Sequence, residues 1–171
     1  MKKIILRYGL LSGAVGAVLM LMTGLYYHNN PGKFENGELF GYAGILLSMV
    51  FVFMGVKAYR EREGEGRLTF GRGFLVGLII TLISSAIYVL AWQIVSHTLM
   101  TDFMDQYVQY SIEQMKKAGT PAEEITRKTA EMEQFKEMYK NPLISTAITF
   151  LEPLPIGLLV TLLSAIILRK N

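Results

Sequence analysis

Apolar residues are concentrated in four long blocks separated by shorter polar stretches. The blocks cover approximately residues 4–27, 39–59, 70–97 and 143–168. Each provides the roughly 20 mostly apolar residues with which a helix crosses the hydrocarbon core of a bilayer. The pattern predicts an all-α membrane protein in which four transmembrane helices form a bundle.

The segment of about residues 99–142 has a different pattern, with apolar residues at helical spacing and charges between them. Gly119 is a good helix terminator, so the segment is predicted to form an outward helical hairpin between spans three and four. Because neither Gly nor Pro interrupts residues 78–118, its first arm is expected to continue the third span. Residues 1–171 then form a single integral membrane domain. The first block is too long for a signal-peptide core and is predicted to remain as a span.

The charge distribution predicts an orientation. Basic residues are concentrated around the N-terminus, the connection between spans two and three, and the C-terminus: Lys2, Lys3, Arg7, Lys57, Arg60, Arg62, Arg67, Arg72, Arg169 and Lys170. An excess of Lys and Arg marks the cytoplasmic side of a membrane protein. Both termini are therefore expected in the cytoplasm. The net charge of +3 is read as a signal of topology, and no nucleic-acid partner is predicted.

Small residues recur at intervals of four in the spans. Gly9 and Gly13 form a GxxxG pair in the first span, Gly73 and Gly77 begin a similar series in the third, and Gly157 begins one in the fourth. Such residues let helix backbones approach closely within lipid. The expected partners are other helices of the same chain or, alternatively, a second copy in a homodimer.

Glu152 is the ionisable residue that lies well inside a predicted span, and it is followed by Pro153 and Pro155. A charge within the bilayer costs several kcal/mol, and each proline removes a backbone donor. The sequence predicts a polar pocket in the outer half of the bundle. The candidate pocket residues are Glu152, Pro153, Pro155, Gln93, His97, Tyr88, Thr23 and Tyr26.

Three interpretations of Glu152 stay open. A neutral carboxyl group could donate a hydrogen bond to a carbonyl freed by the prolines, which is a purely structural use. It could instead form a site for protons, cations or a polar ligand. The third interpretation is that Glu152 lies in the membrane interface.

Motifs for other chemistry are absent from the sequence. It has no cysteine, no HExxH and no GxSxG, and the GRGFLVG stretch lacks the GK[ST] ending of a phosphate-binding loop. We therefore predict no catalytic residues, no metal site and no cofactor. An enzyme would need a second catalytic group beside Glu152, for which His97 is the plausible candidate.

The Gly-rich first span, the YREREGEGRLTFGRGFLVG junction, the KKAGTPAEEI hairpin tip and the Pro-containing last span together resemble a bacterial envelope family. That family is defined only as a domain of unknown function, DUF4199. The resemblance covers nearly the whole chain and implies a four-span protein of the bacterial inner membrane without an assigned activity. It transfers no functional residues.

The combined prediction is a non-enzymatic integral membrane protein. Its partners are the lipid bilayer and either a second copy or an envelope protein, contacted through its helices and hairpin in a structural or regulatory capacity. The alternative is a small transporter or channel subunit that uses Glu152 in the intramembrane pocket.

Overall fold

The computed structural model describes residues 1–30, 33–34 and 36–170. Seven helices lie within these ranges: α1 (Lys2–Asn29), α2 (Gly37–Arg62), α3 (Phe70–Thr98), α4 (Phe103–Lys117), α5 (Ala122–Tyr139), α6 (Pro142–Leu151) and α7 (Pro153–Ile167). Four units are long and apolar enough to cross a membrane, namely α1, α2, α3 and the α6–α7 pair. The predicted fold class is confirmed, and the chain is a multi-pass membrane protein.

Helix α3 lies at the centre of the bundle, where it contacts α1, α2, α6 and α7. Its contact with α1 is close because Gly9 and Gly13 have no side chains. A Cβ atom added at Gly9 would lie 2.8 Å from Ile83 Cγ2, and one at Gly13 would lie 2.4 Å from Ile87 Cδ1. The GxxxG pair of α1 is therefore occupied by side chains of the same chain.

The contact between α3 and α7 is also close because glycines lie in it. A Cβ atom added at Gly77 would lie 2.9 Å from Thr161 Cγ2, and one at Gly157 would lie 2.3 Å from Thr81 Cγ2. The two threonine hydroxyl groups lie 3.1 Å apart and share a hydrogen bond. Gly73 meets Ala165 of α7 in the same interface. Close backbone approach and a buried polar pair hold these helices together where water provides no hydrophobic drive.

Serine hydroxyls connect three helices in the middle of the bundle. Ser12 of α1 donates to the backbone carbonyl of Ser48 at 2.8 Å and lies 2.9 Å from Ser84 Oγ of α3. Ser12 is fully buried, so these bonds satisfy polar groups that would otherwise be costly in lipid.

Both chain ends and the α2–α3 connection meet at one end of the bundle. Leu68 and Lys170 exchange two backbone hydrogen bonds, of 2.7 and 3.0 Å. The terminal ammonium group of Met1 donates to Glu63 Oε1 at 2.5 Å. The hairpin formed by α4 and α5 follows α3 at the opposite end.

The expectation that the hairpin's first arm continues the third span is wrong. Helix α3 ends at Thr98, and α4 begins at Phe103. The backbone N–H groups of Leu99 and Met100 both donate to the Val95 carbonyl, and the Leu99 carbonyl contacts His28 Nδ1 at 2.8 Å. These tertiary contacts, together with the burial of Met100, end the helix although its sequence contains no helix breaker.

The hairpin reverses at Gly119, whose φ of 73° lies in the left-handed region that glycine adopts without strain. Its two arms are joined by an ion pair between Lys136 and Asp105. Lys136 also contacts Glu133 of its own helix at 3.3 Å.

Candidate functional site: a chamber at the hairpin end of the bundle

The last span is bent at Glu152. Helix α6 ends at Leu151, α7 begins at Pro153, and Glu152 between them keeps helical dihedral angles (φ −61°, ψ −53°). Pro153 and Pro155 have no N–H groups to donate to the carbonyls four residues earlier. The prolines thus divide the helix without unwinding it, and α6 and α7 pack against different parts of the bundle.

A chamber of about 970 Å³ lies beside this bend. Its walls are the hairpin-side halves of α1 and α2 together with parts of α3 and α6, and the α4–α5 hairpin covers it. Helix α2 packs mainly against α1, α3 and α7, whereas α6 packs mainly against α3, α5 and α7. The chamber is half-open.

Glu152 lines this chamber. Its Oε2 atom accepts a long hydrogen bond of 3.4 Å from the Tyr88 hydroxyl group. Within the described part of the chain, no hydrogen bond joins the Glu152 side chain to the carbonyls that the prolines leave free. The geometry therefore favours a carboxyl group that faces the chamber over one that only satisfies the bend.

Thr23 and Tyr88 line the chamber together with Glu152. The Thr23 hydroxyl group donates to the Leu19 carbonyl of its own helix at 2.9 Å. Among the predicted pocket residues, these three are brought to one cavity.

The other predicted polar residues lie elsewhere. Gln93 donates to Thr146 Oγ1 of α6 at 3.0 Å, and His97 Nδ1 contacts the Gln93 carbonyl at 2.7 Å. Tyr26 is 52% exposed on the outside of the bundle. Pro153 is buried at the bend, and Pro155 is exposed. Neither Gln93, His97 nor Tyr26 is a lining residue of the described chamber.

A hydrogen-bonded relay in the chamber wall was not predicted from the sequence. Trp92 Nε1 of α3 donates to the Tyr139 hydroxyl group at 2.7 Å, and that group lies 3.1 Å from Thr149 Oγ1 of α6. The relay fastens the end of α5 to two spans. Its sequence signal was the position of Trp92 and Tyr139 near a predicted membrane surface, where amphipathic aromatic residues accumulate.

An aromatic cluster closes the top of the chamber. Phe34, in the connection between α1 and α2, is only 7% exposed. Its ring stacks on Tyr27 at 5.2 Å and meets the edges or faces of Phe103, Tyr107 and Tyr110 at 5.6–6.1 Å. Aromatic pairs at such distances are favourable in edge-to-face and offset arrangements. The cluster holds the hairpin against α1 and its loop.

Tyr107 also connects the hairpin to α2, since its hydroxyl group donates to Glu38 Oε1 at 3.3 Å. Burial and the neighbouring Glu38 carboxylate raise the pKa of Tyr107 above its ordinary value. The phenol therefore stays neutral and remains a hydrogen-bond donor at physiological pH.

Comparison with known proteins adds a family and no activity. A family model described as "Protein of unknown function (DUF4199)" matches residues 7–170. Neither a curated protein nor a solved structure matches the chain.

Proposed function

The chain belongs to the DUF4199 family, and from this starting point we propose that it is a non-enzymatic, regulatory membrane protein that binds a small amphipathic molecule. The observation that carries this proposal is the chamber of about 970 Å³ between the hairpin-side halves of the spans. Cavities of about 300–1,000 Å³ with apolar walls and a few polar groups are typical ligand sites.

The hairpin is the element that can transmit ligand binding in the chamber to a partner protein. It covers the chamber, and its α5 helix contains no buried residue, so a full helix face is available to an envelope partner. A ligand below the hairpin and a partner above it would be coupled through the same two helices. This arrangement supports a regulatory use of the hairpin.

The proposal is tested by native mass spectrometry of the protein released directly from membranes. The wild type is expected to carry a bound small molecule, and Gly44→Phe, which places a ring in the chamber wall, is expected to lose it. Gly71→Phe is the matched control, because Gly71 has open space around it and lies outside the chamber lining. A wild-type protein without any bound molecule would contradict the proposal.

Transport is the second candidate, and the exposure of Glu152 to the chamber favours it. The inner half of the bundle opposes it, since Val52, Val56, Val76 and Ile80 are fully buried there. Transport would require this packing to open. Flux of a probe into proteoliposomes that depends on Glu152 would support transport, and binding without flux would support the regulatory proposal.

The absence of catalysis is part of the proposal. His97, the candidate partner of Glu152 in an enzyme, contacts its own helix at the Gln93 carbonyl and does not line the chamber. We expect His97→Ala to leave ligand binding unchanged.

The proposed orientation places both termini in the cytoplasm of a bacterium and the hairpin on the outer side of its inner membrane. It is supported by the basic residues gathered around the Leu68–Lys170 bridge and by the excess of Lys and Arg on cytoplasmic sides. The chain has no cysteine, so single cysteines report topology directly. In whole cells, an impermeant maleimide should label Glu123→Cys and spare Glu61→Cys, and the opposite result would reverse the orientation.

The bundle is proposed to pack within one chain. Gly9 and Gly13, which could have formed a dimer face, are covered by Ile83 and Ile87. A homodimer would have to use another surface instead.

A further inference from the structure

We propose that the ligand of the chamber is a hydrophobic organic cation; this rests on the proposed binding function and specifies the class of molecule bound. The chamber combines a wall rich in aromatic rings with an acidic side chain that has no cationic partner among the described residues. Together these features suit a positive charge carried on an apolar body.

The carboxyl groups of the chamber differ in how they are satisfied. Glu131 of the hairpin helix α5 pairs with Arg127 at 3.2 Å, and Glu38 accepts a hydrogen bond from Tyr107. Glu152 has no ion pair among the described residues, and its hydrogen bond to Tyr88 is long. Its carboxylate is therefore the group that a bound cation would pair with.

The described lining has more acidic than basic side chains, which favours a cationic ligand. Glu38, Glu131 and Glu152 contribute carboxyl groups, and Lys128 is the basic side chain of the described lining. An anionic ligand would meet three acidic groups, whereas a cationic ligand would meet one ammonium group at the hairpin. Charge complementarity of this kind selects between ligands of similar shape.

Aromatic rings surround the space next to Glu152. Tyr88, Trp92 and Tyr139 lie in the chamber wall near the bend, and Tyr27, Phe103 and Tyr107 lie nearer the top. A cation over the face of an aromatic ring is attracted by the ring quadrupole, and the attraction is strongest where water is excluded. Leu19, Met20 and Ile148 add apolar surface to the wall, so hydrophobic substituents on the cation are accommodated.

The opening of the chamber provides the access route. Leu39 and Phe40 of α2 line the chamber and are 64% and 56% exposed, so the gap through which the chamber opens has an apolar rim. A hydrophobic cation that partitions into the outer leaflet can reach Glu152 through this gap. Entry does not require the hairpin to be displaced.

Trp92 is the single tryptophan of the chain and lies in the chamber wall, so its fluorescence reports binding. We would titrate the full-length protein in phosphatidylcholine vesicles with tetraphenylphosphonium, neutral triphenylphosphine oxide and the anion tetraphenylborate. Tetraphenylphosphonium should change Trp92 emission saturably and bind at least about tenfold more tightly than the other two probes.

Two variants test the charge. Glu152→Gln should weaken tetraphenylphosphonium at least about tenfold and leave the neutral probe unchanged. Lys128→Gln should strengthen the cation a few-fold, a gain that misfolding cannot produce. Glu137→Gln and Lys117→Gln, outside the chamber lining, are the matched controls and should behave as the wild type.

The outcomes separate the two proposals. Equal binding of cationic and neutral probes, with no effect of Glu152→Gln, would overturn the cation assignment and leave the binding function intact. Saturable binding of the anion alone would also overturn it. If no probe binds, the cation assignment fails, and the native mass spectra decide separately whether the chamber holds another molecule.

Discussion

Replacing Gly157 by Ala tests the packing of the bent last span against α3. The added Cβ atom would lie 2.3 Å from Thr81 Cγ2, 3.2 Å from Thr81 Oγ1 and 3.3 Å from Met49 Sδ. Carbon atoms in ordinary contact are about 3.5–4.0 Å apart. The two helices must therefore separate by roughly 1.5 Å, or Thr81 must leave its position.

Thr81 cannot move freely. It is fully buried, its hydroxyl group shares a hydrogen bond with Thr161, and the side chain is β-branched and stiff. Overpacking of this kind costs about 1–3 kcal/mol. The substitution also gains about 1 kcal/mol of helix propensity. We therefore expect a net loss of about 0–2 kcal/mol in the free energy of unfolding, and a loss of about 1–3 kcal/mol relative to a glycine-to-alanine substitution in open space.

The assay is reversible unfolding by SDS in mixed micelles, followed by Trp92 fluorescence. Gly41→Ala is the control, because nothing lies within 4 Å of a Cβ atom at that position. It should be neutral or slightly stabilising. Thr81→Ser removes the methyl group that the new Cβ atom would strike and keeps the hydroxyl group. The double variant Gly157→Ala/Thr81→Ser should therefore recover most of the lost stability.

The double-mutant cycle gives the coupling free energy between the two substitutions, which tests the contact directly. Residues in contact typically couple by about 0.5–3 kcal/mol, whereas distant residues are additive within about 0.5 kcal/mol. A coupling of at least about 1 kcal/mol between the two substitutions is expected. Additive effects, or a Gly157→Ala variant as stable as Gly41→Ala, would refute the described contact between α3 and α7.

Three further predictions concern the hairpin and its attachment. Tyr139→Phe should destabilise the protein by about 1–3 kcal/mol in SDS unfolding, because the Trp92 N–H group loses its acceptor; an unchanged midpoint would argue against the relay. Asp105→Asn should lower the pKa of Lys136, which the Asp105 hydrogen bond raises, as measured by NMR of ¹³C-labelled lysines. Because folding raises the Lys136 pKa, the stability that the Lys136–Asp105 ion pair contributes is complete below about pH 10.4 and is lost as the pH rises through the folded-state pKa. A Lys136 pKa that does not change in Asp105→Asn would contradict the ion pair. Asn141→Ala should cost about 1 kcal/mol, since the Asn141 side chain caps α6 by accepting from the Leu143 N–H group at 3.0 Å, and thermal unfolding without a shift would count against the cap.

The four spans were predictable because lipid imposes long apolar blocks that are visible in any single sequence. The packing glycines were also visible, since close helix approach requires small residues. The sequence did not reveal which helix each glycine meets. That Gly13 receives Ile87 and Gly157 receives Thr81 depends on the order of helices in space, which spacing within one helix does not specify.

The chamber was predictable only in part. Glu152 and its prolines marked the bend because a carboxyl group and missing donors are costly within a bilayer. The sequence did not predict the aromatic cluster, since Phe34 lies in a short connection and is buried by a hairpin that follows it far along the chain. The sequence also did not predict the break between α3 and α4. His28 and Met100 end α3 through tertiary contacts that override local helix propensity.

The proposed binding function requires that helices of one chain form the chamber. Gly44 of α2 and Leu19 of α1 both line it, and a Cβ atom at Gly44 would lie 3.6 Å from Leu19 Cβ. This distance is within the range of about 3.5–4.5 Å for disulfide-bonded cysteines. Oxidation of Gly44→Cys/Leu19→Cys in native membranes should therefore protect both thiols from maleimide while the chain migrates as a monomer. The control Gly41→Cys/Leu19→Cys should remain reactive. Free thiols in the test pair, or a disulfide-linked dimer, would contradict the enclosed single-chain chamber.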